Sequence, residues 1–175
     1  MSAKQSDSAN RIDTKRLTLY ALFTAAALIF SYIESLFPLA FIAPGVKLGL
    51  SNAVVLFLAV RKDYKGAFLV SIVRLLLSAL LFGSFISFLF SFAGGMFSLL
   101  IICLLNKTGL FSAVGVSIAG GVAHNVAQLV VAYFIIKGAV WYYLPVLALS
   151  GALCGGLVGA VSLILLKKIK TNYKL

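Results

Sequence analysis

The chain has 175 residues, of which 62% are hydrophobic and only 11% charged, and its formal net charge is +11. Soluble domains average about 25% charged and 45–50% apolar residues, so this composition excludes an ordinary globular domain and specifies an integral membrane protein. The basic excess does not point to nucleic acid, because the lysines and arginines sit in short loops and tails, where they orient membrane spans.

The apolar runs are continuous rather than alternating, which predicts an all-α bundle and not a β-barrel. Residues 1–16 form a polar tail with Lys4, Arg11, Lys15 and Arg16, too polar and too late in turning apolar to be a cleavable signal. The first span is expected over 17–37. Ala21 and Ala25 make a small-xxx-small pair near its start, Glu34 lies near its far end, and Pro38 ends it. Residues 38–46 are an apolar loop, expected to pack across the mouth of the bundle as a lid. A short second span follows over 47–60, with Lys47 and Ser51 on one face and Asn52 beside them.

Residues 61–65 are a basic loop, and the third span, 66–82, carries Arg74 at its middle. After Gly83-Ser84 the fourth span runs over 85–105, with a stripe of small and polar residues: Ser84, Ser87, Ser91, Gly94 and Ser98. The fifth, 111–136, holds an i, i+4 ladder of Gly115, Ala119, Ala123 and Ala127. It also holds His124, Asn125 and Gln128, with His124 and Gln128 on one helical face. Trp141, Tyr142 and Tyr143 read as an interfacial aromatic belt. The sixth span, 144–166, has Gly151, Gly155 and Gly159 at i+4 steps, a close-packing row. A basic tail, 167–175, closes the chain.

Six spans place twelve of the 15 lysines and arginines on one side, which predicts cytoplasmic N- and C-termini and one transmembrane domain over 17–166. Polar side chains at membrane depth face a bundle interior or a water-filled cavity. Glu34, Lys47, Asn52, Arg74, His124, Asn125 and Gln128 are therefore the candidate substrate-binding residues; the alternative is that they tie helices together by hydrogen bonds. Arg74 needs a carboxylate or a bound anion. Glu34 is the internal candidate, and Lys47 leaves one positive charge for an anionic ligand.

No catalytic residue is assigned. The four acidic residues, Asp7, Asp13, Glu34 and Asp63, are not spaced for metal or paired acid–base chemistry, and no DDxxD cluster marks a self-sufficient prenyl-diphosphate synthase. Cys103 and Cys154 lack metal-site or disulfide spacing, so no metal and no cofactor are expected. Without a GxxxxGK[ST] loop the chain cannot energise transport alone.

The string Pro44-Gly45-Val46-Lys47-Leu48-Gly49-Leu50-Ser51-Asn52 resembles the PGxKLGLxN signature of the Gx transporter family, also called heptaprenyl diphosphate synthase component I. Arg74, Gly83-Ser84, the run from Phe90 to Gly95, and Gly120-Gly121-Val122-Ala123-His124-Asn125-Val126-Ala127-Gln128 continue the likeness, which covers about 17–166. That family is similar to the substrate-binding S-components of energy-coupling-factor (ECF) transporters. The resemblance implies a six-helix bundle in a bacterial cell membrane with an outward pocket capped by the loop after the first helix. It implies partners too: a coupling subunit met through Ala21 and Ala25, two ATPases, and a small flavin-like or isoprenoid-related ligand. The family's other label implies a membrane component of heptaprenyl diphosphate synthesis, and a scaffold for a membrane redox assembly is a further alternative.

Overall fold

The computed structural model describes residues 14–36, 49–137 and 140–168. They form six helices: α1 Thr14–Leu36, α2 Leu50–Val60, α3 Tyr64–Phe82, α4 Phe85–Thr108, α5 Ala113–Ile136 and α6 Leu144–Lys168. A 3-10 turn, Val140–Tyr143, precedes α6, and its Trp141 packs on Tyr133 with ring centroids 5.7 Å apart. Lys47 and the expected lid, 38–46, lie outside the described residues.

Five helices are long and apolar enough to cross a bilayer, and α2 is not. The second segment, expected as a short span over 47–60, is described as a helix only over Leu50–Val60. The 11 residues of α2 reach roughly 16 Å at 1.5 Å per residue, about half the hydrocarbon thickness. This short helix is nonetheless the centre of the molecule. Ser51 and every residue from Ala53 to Ala59 are buried, and α2 packs on α1, α3, α4 and α6. Its apolar residues are the heart of a core that includes Ala27, Val70, Ile102, Val116 and Val158. A helix that is apolar all round belongs inside a bundle, where only protein touches it.

The helix starts are locally specified. The side chains of Asp63, Ser84 and Ser112 cap α3, α4 and α5, accepting from the N–H groups of Gly66 (3.0 Å), Ser87 (3.2 Å) and Gly115 (3.2 Å). Asp63 has a second task, since its other oxygen accepts the Tyr20 hydroxyl at 2.7 Å and ties α1 to the α2–α3 turn. Asp63→Ala removes a cap and a charge-assisted hydrogen bond together. It should cost roughly 2 kcal/mol, read as a lowered midpoint in detergent unfolding, with Tyr20→Phe reproducing about half of that loss.

Helices α4, α5 and α6 form the closest-packed part of the bundle. The glycine row of α6 faces α5: a Cβ on Gly155 would lie 2.6 Å from the Ser117 carbonyl oxygen, and one on Gly159 would lie 2.9 Å from the Val114 Cα. On α5 this row is met by Val114, Ser117, Ile118 and Gly121, and the missing Cβ of Gly121 would strike the Gly151 carbonyl. Its neighbour Gly120 turns toward α4, where a Cβ would lie 2.7 Å from Ile102. The Gly115 end of the expected ladder has only ordinary contacts, the nearest being Ser112 Oγ at 3.6 Å. The close approach of α5 to α6 therefore runs through Val114, Ser117 and Gly121, and the Gly115 end of the ladder lies away from it.

Candidate functional site

The polar residues of the site meet at mid-depth because of simple chain geometry. α2 and α3 run antiparallel from a turn at 61–63, so the first turn of α2 lies level with Arg74, eleven residues into α3. Arg74 is only 5% exposed. Its Nη1 donates to Ser51 Oγ at 2.6 Å and to Ser31 Oγ of α1 at 3.4 Å, and its Nη2 donates to Asn52 Oδ1 at 3.1 Å. Its Nε has no hydrogen-bond partner among the described residues.

Glu34 completes this cluster without touching the guanidinium. Its Oε2 accepts from Ser51 Oγ at 3.2 Å and its Oε1 accepts the Leu50 N–H at 2.9 Å. Ser51 thus stands between the two charges, accepting from Arg74 and donating to Glu34. The carboxylate also caps α2 from a different helix. α2 begins at Gly49, held in the left-handed region at φ 74°, and has no side-chain cap of its own. A negative group there offsets the partial positive charge of the helix N-terminus.

The second polar group lies on α5, and a glycine pair on α4 brings it close to the first. A Cβ on Gly94 would lie 2.8 Å from His124 Nε2 and 3.0 Å from Gln128 Cγ. A Cβ on Gly95 would face Leu75 at 3.2 Å and Arg74 Nη2 at 3.9 Å. One turn of α4 therefore accommodates His124 and Gln128 on one side and Arg74 on the other. Gln128 is 3% exposed, and among the described residues neither its oxygen nor its nitrogen has a hydrogen-bond partner. Asn125 is differently placed: its Nδ2 donates to the Leu147 carbonyl at 2.7 Å and to Ser150 Oγ at 3.2 Å, which locks α5 to α6.

A cavity of about 30 Å³ lies between Asn52 on one side and His124 and Asn125 on the other; Arg74, Glu34 and Gln128 do not line it. Gly49 and Asn52 at the start of α2 form one wall, His124, Asn125 and Gly121 another, and Ser98 of α4, Ser117 of α5 and Cys154 of α6 contribute the rest of its polar and sulfur lining. Ser98, the innermost member of the small polar stripe, does line a cavity. Small-molecule pockets run to about 300–1,000 Å³, so the described residues enclose room for only about two waters.

Of the sequence-derived site residues, the structure gathers Glu34, Asn52 and Arg74 into one hydrogen-bonded set and places His124 and Asn125 across the cavity from Asn52. Lys47 is outside the described residues, and Ala21 and Ala25 are exposed on α1. Ser51 and Ser31 carry contacts that the sequence reading did not assign. Ser31 sits three residues before Glu34 and Ser51 directly before Asn52, and those spacings were the available signals.

These features define a multi-pass membrane protein whose buried centre is polar and charged. The chain matches the family described as heptaprenyl diphosphate synthase component I over residues 23–165, and it belongs to that family. No curated protein and no solved structure matches the chain.

Proposed function

We propose that this protein is the membrane-embedded substrate-binding subunit of an ECF-like transporter for a small anionic or amphipathic molecule. The observation that carries this reading is the convergence of Arg74, Ser51, Asn52 and Glu34 on the N-terminus of a half-length helix at membrane depth, beside a cavity. Broken or half-length helices place backbone donors where a charged solute can meet them inside a bilayer. A purely structural Arg74 would be simpler to replace by an apolar residue, since buried ion pairs give little net stability. In this reading Arg74 and the α2 N-terminus supply positive charge, while Asn52, His124 and Gln128 supply directed hydrogen bonds. Gln128 has a donor and an acceptor both free to pair with a ligand. The cavity enlarges when α2 separates from the α4–α6 unit. The termini are cytoplasmic, the membrane is the bacterial plasma membrane, and the exposed Ala21 and Ala25 meet a coupling subunit served by two ATPases.

The family's name favours a second reading, a membrane component of heptaprenyl diphosphate synthesis. With only four acidic residues in the chain, one of them engaged as the α3 cap, the carboxylates for diphosphate–magnesium chemistry would have to come from a soluble partner. Affinity purification followed by native mass spectrometry separates the two. The transporter reading expects co-purifying ATPases and a retained small anion that disappears in both Arg74→Ala and His124→Ala. A prenyl synthase in the eluate, and no small molecule, would replace it with the second reading.

A further inference from the structure

We infer that the Glu34 carboxylate is an internal stand-in for the ligand's anionic group, seated in a cradle of the α2 N-terminus, Ser51 and Arg74 that the ligand takes over on binding. This rests on the binding-subunit reading above and names the event by which the site fills.

The cradle is built for an oxyanion. The Leu50 N–H points at Glu34 Oε1 (2.9 Å) and the Ser51 hydroxyl at Oε2 (3.2 Å). Both donors lie in the first turn of α2, where the helix dipole favours negative charge. Behind them stands Arg74, 5% exposed, whose fork among the described residues reaches only neutral oxygens of Ser51, Ser31 and Asn52 and whose Nε has no partner among them. A buried guanidinium held by neutral acceptors alone is under-satisfied, because its strongest bonds are bidentate ones to carboxylate or phosphate. The Glu34 carboxylate fills the front of the cradle but stops one serine short of the charge. A group with more acceptor oxygens, such as a phosphate, can accept from Leu50 and Ser51 and still reach Arg74.

Glu34 is also placed to leave. It lies two residues from the end of α1, a helix with only Thr24 and Ala27 buried among its 23 residues. The cavity adjoins the cradle through Gly49 and Asn52, so a ligand whose anionic group occupies the cradle has its body against His124. In the empty state Glu34 offsets the charge of Arg74 through Ser51. On exchange the incoming anion brings its own negative charge, so the buried centre stays balanced. A neutral molecule has nothing to displace the carboxylate with, which makes Glu34 the selectivity element of the site.

The test is titration of the full-length purified protein with inorganic phosphate, followed by calorimetry and thermal shift, in wild type, Glu34→Gln, Glu34→Asp and Glu34→Gln/Arg74→Gln. Occupancy by an internal competitor scales apparent affinity by the fraction of time the cradle is empty, so a cradle filled about nine-tenths of the time binds about ten-fold more weakly. Glu34→Gln should therefore bind phosphate at least about ten-fold more tightly than wild type. Glu34→Asp keeps the charge but withdraws it by one methylene, and should also gain. The double variant should lose binding. A gain in Glu34→Gln alone would mean that charge and not occupancy matters, and would overturn the inference. So would equal or weaker binding in both single variants while wild type binds phosphate or retains a small anion, an outcome that leaves the binding-subunit reading standing. No binding in any variant and no retained molecule would overturn both.

Discussion

Arg74→Ala should destabilise the protein by about 2–4 kcal/mol, because it empties a buried position and removes the guanidinium that balances the half-buried Glu34 through Ser51. The deletion also strands Ser51 and Asn52, both of which accept from the guanidinium. The double change Arg74→Met/Glu34→Gln removes both charges and keeps the volume. It should recover most of the lost stability, since a well-packed neutral pair is often as stable as the ion pair it replaces. Detergent-phase unfolding followed by circular dichroism would measure the cycle. Recovery of stability without recovery of any retained ligand is the result expected of a site kept for binding. A double variant as unstable as Arg74→Ala would show that the cluster is part of the scaffold in its own right.

The second large effect is expected at Gly121. A single methyl there meets the carbonyl of Gly151, which is backbone and cannot rotate aside. Gly121→Ala should push α5 and α6 apart and cost roughly 3 kcal/mol, at the upper end of the usual range for overpacking. Gly115→Ala, the same change two turns away, adds a methyl with 3.6 Å of clearance. It should be neutral, or stabilising by up to about 1 kcal/mol through helix propensity. The lone tryptophan, Trp141, stacks on Tyr133 of α5 and precedes α6, so its fluorescence reports the separation directly. Equal effects at the two glycines would show that the close contact lies elsewhere.

The contrast between these two glycines shows what the sequence could and could not disclose. The α6 row was legible because three glycines in one i+4 register have few other uses. Its partner surface was not, because periodicity favours the longest ladder of small residues, and Gly121 stands outside the ladder of 115, 119, 123 and 127. The two Gly-Gly pairs, 94–95 and 120–121, each serve two neighbours at once, and that only three dimensions reveal. The membrane class and the five long helices followed from apolar length. The shortness of α2 was legible too, but not its start at Leu50, because the apolar residues of 38–46 run on into it and disguise where it begins. Arg74 was conspicuous as a charge in an apolar run, and Glu34 was its only available acidic neighbour. That Ser51 would stand between them depends on the rotation of α2, which a short and uniformly apolar helix does not encode. The size of the cavity was likewise invisible, being set by how closely α2 approaches the α4–α6 unit.

The brevity of α2 also bears on how the protein is made. A segment needs about 20 apolar residues to enter a bilayer as an independent helix, and α2 offers 11. Its first turn would leave unsatisfied N–H groups in lipid, where each costs several kcal/mol. Inside the bundle Glu34 answers one of these, and protein surrounds the rest of the helix. Alone among the six helices, α2 cannot be a stable intermediate of insertion. It must be taken in against helices that are already there, so that the central helix of the finished molecule depends for its place on the peripheral ones. Assembly then proceeds from the outside inward, and the charged centre comes into being as the last gap closes.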